Sequence, residues 1–150
     1  MNCFYEKGLR FTCQPGCHYC CGVEPGFVFV SLSDLKRLAS FLALSMQEVV
    51  SSYCRKVPMG SISYISLLEK ANHDCIFLEA KGCSVYAARP LQCATYPFWA
   101  PILSSQEAWE NEKQWCPGID KGEIHPKAEI ELALKRRLGV EPAVWEEVVQ

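Results

Sequence analysis

Four cysteines fall within nine residues, Cys13-x3-Cys17-x2-Cys20-Cys21, and this constrains the chain more than any other feature. Core packing does not produce such a density, because free cysteine enters cores singly, as a small apolar residue. Thiolates two or three residues apart in a tight turn can converge on one metal, with sulfurs about 2.3 Å from a zinc ion, for example. Gly16 and Gly22 let the backbone fold closely around the run. Cys20 and Cys21 are neighbours, and neighbours in a regular strand face opposite ways. They therefore need a helical turn or an irregular loop, or else one of them serves a second centre.

A second group follows, Cys75-x7-Cys83-x9-Cys93, and then Cys116 in Cys116-Pro117-Gly118. The eight thiolates suit two four-ligand sites. They equally suit one iron–sulfur cluster with a structural zinc, or one cluster with the remaining cysteines in the core or in a redox pair. Soft sulfur donors select zinc or iron–sulfur over calcium, magnesium or manganese. Cys3 and Cys54 stand apart and read as packing residues. A c-type haem site requires Cys-x-x-Cys-His, and the Cys13 to Cys17-His18 spacing is one residue too long. His18 is a candidate ligand or a hydrogen-bond partner of one. His73 and His125 read as surface or cap residues.

The rest of the composition narrows the setting. The chain has 150 residues, enough for a single domain from 1 to 150. Hydrophobic residues make up 49% and charged residues 21%, which suits a packed globule. The net charge of -2 offers no basic excess to a phosphate backbone, so nucleic acid is not an expected partner. The run Lys135-Arg136-Arg137 sits where cations complement a helix C-terminus. Met1 to Gly8 lacks the apolar stretch of a signal peptide. The most apolar segment, Leu35 to Leu44, contains Lys36 and Arg37 and is too short to span a membrane. The expectation is a cytoplasmic protein, where clustered cysteines bind metal or do redox chemistry rather than form disulfides.

Local patterns predict an α+β, mostly helical fold wrapped around a cysteine-ligated metal core. Residues 1–30 read as irregular, ending in a short strand Phe27–Val30. Ser31 or Ser33 caps a helix with Leu35, Leu38, Ala39 and Leu42 on its inner stripe. Ser45 and Glu48 form a capping-box pattern that opens a second helix to about Cys54. Pro58 and Gly60 mark a turn, and Ile62 to Leu67 alternates as a strand. Cys75–Leu78 and Cys83–Tyr86 read as a hairpin with Gly82 in its turn. Short helices are expected from Pro90 to before Pro97, and from Ser105 to about Trp115 with Trp109 inward. A further helix runs from Pro126 to Leu138, stopped by Gly139. Pro142 opens a last short one. Residues 123–150 read as a helical extension.

At these residues the chain resembles the YkgJ-like cysteine-cluster family, a zinc- or iron-chelating domain. The likeness rests on Cys13, Cys17, Cys20 and Cys21, and on Arg89-Pro90-Leu91-Gln92-Cys93-Ala94-Thr95-Tyr96-Pro97-Phe98. Cys75-Ile76-Phe77-Leu78, Gly82-Cys83-Ser84-Val85-Tyr86 and Cys116-Pro117-Gly118-Ile119 resemble its central and closing segments, so the motif region covers about 10–122. Where the family usually has arginine, this chain has Ala94. The resemblance implies that the eight clustered cysteines are metal ligands. A similar cysteine segment in flagellin lysine methylases implies an iron–sulfur centre, of the 4Fe–4S type, ahead of zinc. Arg89 and Tyr96 are candidates to donate hydrogen bonds to cluster sulfurs and so tune the cofactor. Their alternative is to fix the fold. Tyr86, Tyr96, Phe98, Trp99, Trp109 and Trp115 read as a shielding core.

Three functions fit. One is a metal or cluster carrier or electron-transfer protein, since the chain shows no nucleophile–base pair, phosphate loop or dinucleotide fingerprint. A second is an enzyme whose centre acts on a bound substrate, with one metal position open. A third is a zinc-stapled interaction module with an exposed apolar patch around Trp99 or Trp145. Substrate and protein partner are not legible.

Overall fold

The computed structural model describes residues 3–14 and 26–149. Among them run β1 (Leu9–Phe11), α1 (Leu32–Leu42), α2 (Met46–Tyr53), β2 (Cys54–Met59), β3 (Ile62–Leu67), β4 (Leu78–Glu79), β5 (Gly82–Cys83), α3 (Leu91–Thr95), α4 (Gln106–Asn111), β6 (Ile119–His125), α5 (Lys127–Leu138) and α6 (Trp145–Val148). The fold is α+β, with 38% helix against 22% strand among the described residues. Its strands form antiparallel pairs, β1 with β6, β2 with β3 and β4 with β5. Two compact units emerge: Met1–Tyr19 with Thr95–Gly139, and Cys20–Ala94 with Val140–Gln150.

In the second of these units, α1 begins where the sequence places a cap. The Ser31 hydroxyl accepts from the Asp34 amide at 3.1 Å, and the Asp34 carboxylate accepts from the Ser31 amide at 2.9 Å. This reciprocal pair satisfies two amides that a helix start leaves open. Leu35, Leu38 and Ala39 turn inward. Ser45 and Glu48 repeat the device at α2, which buries Val49 and Val50. Each fully buried aliphatic side chain contributes roughly 1.5–3 kcal/mol. The core also takes Val30, Cys54, Ile65, Leu67 and Phe77.

Strand β2 departs from the expected turn at Pro58. Cys54 to Met59 pairs residue by residue with Leu67 to Ile62, and Pro58 lies within the pairing opposite Ser63. Proline is tolerated on an edge strand, where its missing N–H faces away from the partner. The turn falls at Gly60, whose φ of 70° suits glycine. The expected strand at Phe27–Val30 reduces to one bridge, Phe29 to Ser66. Its backbone still follows β3, through Val30 N–H to the Ile65 carbonyl at 3.1 Å and Leu67 N–H to Val28 at 3.0 Å. The Cys75–Tyr86 hairpin is present but shorter than expected. Only Leu78–Glu79 and Gly82–Cys83 pair, and Tyr86 enters a 3₁₀ turn.

In the first unit, Leu9, Phe98, Ile102, Leu103, Trp109, Cys116, Ile119 and Ile130 make the core. Trp109 is 1% exposed, as its inward reading requires, and its ring stacks on Phe98 with centroids 6.1 Å apart. The expected Ser105–Trp115 helix divides into α4 and a 3₁₀ turn at Glu112–Gln114. The β1–β6 pair replaces the irregular structure expected at the N-terminus and the start of the expected C-terminal helical stretch. Helix α5 runs from Lys127 to Leu138 between Pro126 and Gly139, with Lys135, Arg136 and Arg137 in its last turn. The shielding-core reading fails for Tyr86 and Trp115, which are 58% and 44% exposed.

Candidate metal centre

In the first unit, backbone contacts join the segments that carry two of the predicted ligands, Cys13 and Cys116. Strand β1 delivers Thr12, whose N–H donates to the Gly118 carbonyl at 3.3 Å. The Thr12 hydroxyl accepts from the Glu123 amide at 2.8 Å. A β-carbon on Gly118 would lie 2.3 Å from the Thr12 carbonyl oxygen, and one on Gly122 would lie 2.1 Å from the Thr12 hydroxyl. Such separations exclude any side chain at either glycine without backbone movement. Thr12, between β1 and Cys13, therefore lies against the Cys116-Pro117-Gly118 turn. Cys13 is exposed and Cys116 buried.

Cys116 is held from two sides. Its amide donates to the Glu112 carbonyl at 2.9 Å. Its side chain is in hydrogen-bond contact with the Tyr96 hydroxyl. That hydroxyl also donates to Glu112 Oε1 at 2.5 Å. Burial above all, then the bond to Glu112 and the nearness of Cys116, holds the Tyr96 phenol far above its ordinary titration range. Tyr96 is thus a protonated donor at any ordinary pH. Its ring meets Trp99 edge-on at 5.0 Å, and Trp99 Nε1 donates to Thr95 Oγ1 at 3.1 Å. The Tyr96–Pro97 peptide bond is cis.

The second unit carries Cys75, Cys83 and Cys93. Cys75 bridges Glu69, and Cys83 pairs with Leu78 in the β4–β5 hairpin. Cys93 lies on α3, which Asp34 sets in place. Asp34 is 2% exposed, and its Oδ1 accepts from the Leu91 amide at 3.0 Å. Arg37 pairs with the same oxygen and reaches the Arg89 carbonyl at 3.2 Å. The segment leaving the first cysteine cluster is clamped by neighbours of these cysteines. Gln92 accepts from Phe29 N–H at 3.3 Å and donates to the Phe27 carbonyl at 2.9 Å. Glu69 accepts from the Gly26 amide at 2.7 Å. That amide bond, more than the nearby His73 and Arg55, draws the Glu69 carboxyl below its ordinary range despite partial burial.

Arg89 donates to the Tyr86 carbonyl at 3.0 Å, and its guanidinium lies 3.8 Å from the Tyr86 ring centroid. Cys54 is a core residue, and burial pushes its thiol up to about 12. His73 is largely exposed with a φ of 71°. His125 is more than a cap, since its two ring nitrogens lie 2.8 Å from the Phe11 carbonyl and 2.9 Å from Glu129 Oε1.

Cys17, Cys20, Cys21 and His18 lie outside the described residues. Among the described residues, no three His, Cys, Asp or Glu side chains group as a metal would require. The predicted ligands there are all sulfur donors, which fits a soft metal or an iron–sulfur cluster. Thr12, Asp34, Gln92 and Glu112 were not singled out as site residues from the sequence. Asp34 had a signal in the Ser-x-x-Asp pattern before an apolar helix, and Gly118 and Gly122 hinted at a close approach. Glu112 had none.

Residues 12–117 match the CxxCxxCC family, described as "Putative zinc- or iron-chelating domain". The chain belongs to this family. Two similar proteins come from Methanocaldococcus jannaschii. "Uncharacterized protein MJ0661" is 29% identical over 95% of this chain and 78% of its own length. "Uncharacterized protein MJ0939" is 25% identical over 81% of this chain, which spans only 41% of that protein. No solved structure gives a significant match. No helix among the described residues is long and apolar enough to cross a membrane.

Proposed function

We propose that this protein holds a thiolate-ligated metal centre, an iron–sulfur cluster of the 4Fe–4S type ahead of zinc, and serves in electron transfer or metal handling. The ligands are drawn from Cys13, Cys17, Cys20, Cys21, Cys75, Cys83, Cys93 and Cys116. The observation that carries this reading is the contact between Thr12 and Gly118. It joins the residue before Cys13 to the residue two after Cys116, although 103 positions separate the two cysteines in sequence.

The chemistry supports a bound metal rather than a protein nucleophile. Convergent thiolates repel one another, and a cation or cluster relieves that repulsion while linking distant segments. Folding and binding are then coupled. The Tyr96 hydroxyl contacts the Cys116 side chain, and groups beside a ligand tune its basicity and a cluster's potential. Arg89 is retained as a candidate cofactor contact, although its guanidinium is engaged with Tyr86.

Zinc remains the second reading, because a four-cysteine site suits both and the family description names zinc with iron. The test is substitution. Cys13→Ala and Cys116→Ala should each lower the metal or cluster content of the anaerobically purified protein. Unchanged content in both would refute the assignment of these two ligands.

A further inference from the structure

We propose that Glu112 is a positioning residue for the metal centre, acting on the Cys116 sulfur through the Tyr96 hydroxyl. The inference rests on the reading of Cys116 as a ligand and goes beyond it by assigning a residue with no motif of its own.

Three contacts close a ring. The Glu112 carbonyl accepts from the Cys116 amide at 2.9 Å. The Glu112 side chain accepts from Tyr96 Oη at 2.5 Å. The Tyr96 hydroxyl in turn contacts the Cys116 side chain. One residue thus fixes the ligand's backbone directly and orients the hydroxyl that lies against its sulfur. The Tyr96 ring cannot easily turn away, since Trp99 packs on it edge-on at 5.0 Å. Cys116 is buried and Tyr96 half-buried, so these bonds work in a setting of low dielectric.

The ring also decides where one proton points. A tyrosine hydroxyl has a single hydrogen to donate. Its two neighbours are a carboxylate and a sulfur that becomes a thiolate when it binds metal. A metal-bound thiolate shares its negative charge with the metal while the carboxylate keeps its own, and hydrogen bonds to ionised acceptors are the stronger. Glu112 therefore draws the hydroxyl proton to itself and leaves the sulfur's electron pairs for the metal. With a neutral amide in its place, the hydroxyl turns toward the sulfur and makes it a weaker donor.

The test is cobalt(II) binding by the metal-stripped 150-residue chain, followed by chelator competition and by the sulfur-to-cobalt charge-transfer band. Glu112→Gln, which keeps the shape of the side chain, should weaken affinity about tenfold, the lower end for changes to groups that orient a metal ligand. It should also move the band to higher energy. In a Tyr96→Phe background the same substitution should change neither. If Glu112→Gln leaves affinity and band unchanged while Cys116→Ala weakens binding, Glu112 has no positioning role and the ligand reading survives. An equal effect of Glu112→Gln with and without the tyrosine hydroxyl would also overturn the proposal, because the action would be structural. If Cys116→Ala changes nothing, the ligand reading fails and this proposal with it.

Discussion

The Thr12 carbonyl oxygen lies 2.3 Å from the point where Gly118 would carry its first side-chain atom. Because the obstacle is backbone, no side-chain rotation relieves it. Gly118→Ala should force Thr12 and the Cys116 turn apart and destabilise the protein by about 2 kcal/mol or more, in the range of overpacking changes. Metal content should fall with it. Thermal denaturation and metal analysis of the one variant check both. A variant with unchanged stability would show that the close approach of Thr12 and Gly118 is not maintained.

Cys54 should behave as a core residue and not as a ligand. Burial pushes its thiol up to about 12, so little thiolate exists near neutral pH to react or to bind metal. Mass spectrometry after brief alkylation of the native protein should find Cys54 unmodified. Cys54→Ser should cost about 1–3 kcal/mol, by placing a hydroxyl in an apolar core, while metal stoichiometry stays that of the parent. A fall in stoichiometry would make Cys54 a ligand after all.

Asp34 joins the start of α1 to the turn before Cys93. Its carboxylate accepts from the Ser31 and Leu91 amides and pairs with Arg37. Asp34→Ala removes half of the capping box and leaves a buried amide without its acceptor. The cost should be about 2–4 kcal/mol, combining loss of a cap and an unsatisfied buried group. Urea denaturation measures it. Arg37→Ala, on the exposed side of the same pair, should cost under about 1 kcal/mol. Equal losses in the two variants would contradict the central role of Asp34.

His125 gives the first unit a pH dependence. Its ring nitrogens face the Phe11 carbonyl and the Glu129 carboxylate, both acceptors, so only the doubly protonated ring satisfies both. The charged groups acting on it are Glu129 from α5 and Glu123 from β6; the other neighbours are the rings of Phe11 and Phe98. Burial alone would lower its pKa, but the bonds to Glu129 and Phe11 outweigh burial and raise it above the ordinary 6.5. A raised folded-state value means that protonation stabilises the fold. The contribution is whole below about 6.5 and is lost as pH rises through the folded value. The gap in melting temperature between the parent and His125→Gln should therefore shrink from pH 6 to pH 9. A gap that widened would reverse the assignment, and a ring titration followed by NMR would show the shift directly.

Much of the second unit was legible because its signals are local. Ser31 with Asp34, and Ser45 with Glu48, announce two helices within four residues each. The strand Ile62–Leu67 forms where its composition predicts, but not with alternating burial, since Ser63 and Ser66 are buried and Ile62 is exposed. The β1–β6 pair was not legible, for reasons of length and composition. Strand β1 has three residues. Strand β6 reads Ile-Asp-Lys-Gly-Glu-Ile-His, with Asp120 at a φ of 63° and Gly122 at 75°, and carries no apolar alternation. Its pairing comes from contacts with residues more than 100 positions away, which no window along the sequence can reveal. The ligand candidates were visible as residue types. What positions Cys116 was only half visible, since Tyr96 stood in a motif while Glu112 is one carboxylate among many.

The central claim is that the clustered thiolates hold a metal, with an iron–sulfur cluster first. Anaerobic purification followed by iron, zinc and acid-labile sulfide analysis with a visible spectrum, all on one sample, tests it most directly. The account predicts a brown protein with broad absorption near about 400 nm and matching iron and sulfide, characteristic of cysteine-ligated clusters. Stoichiometric zinc without sulfide would contradict the cluster and leave the zinc reading. A protein holding neither would contradict the metal centre itself.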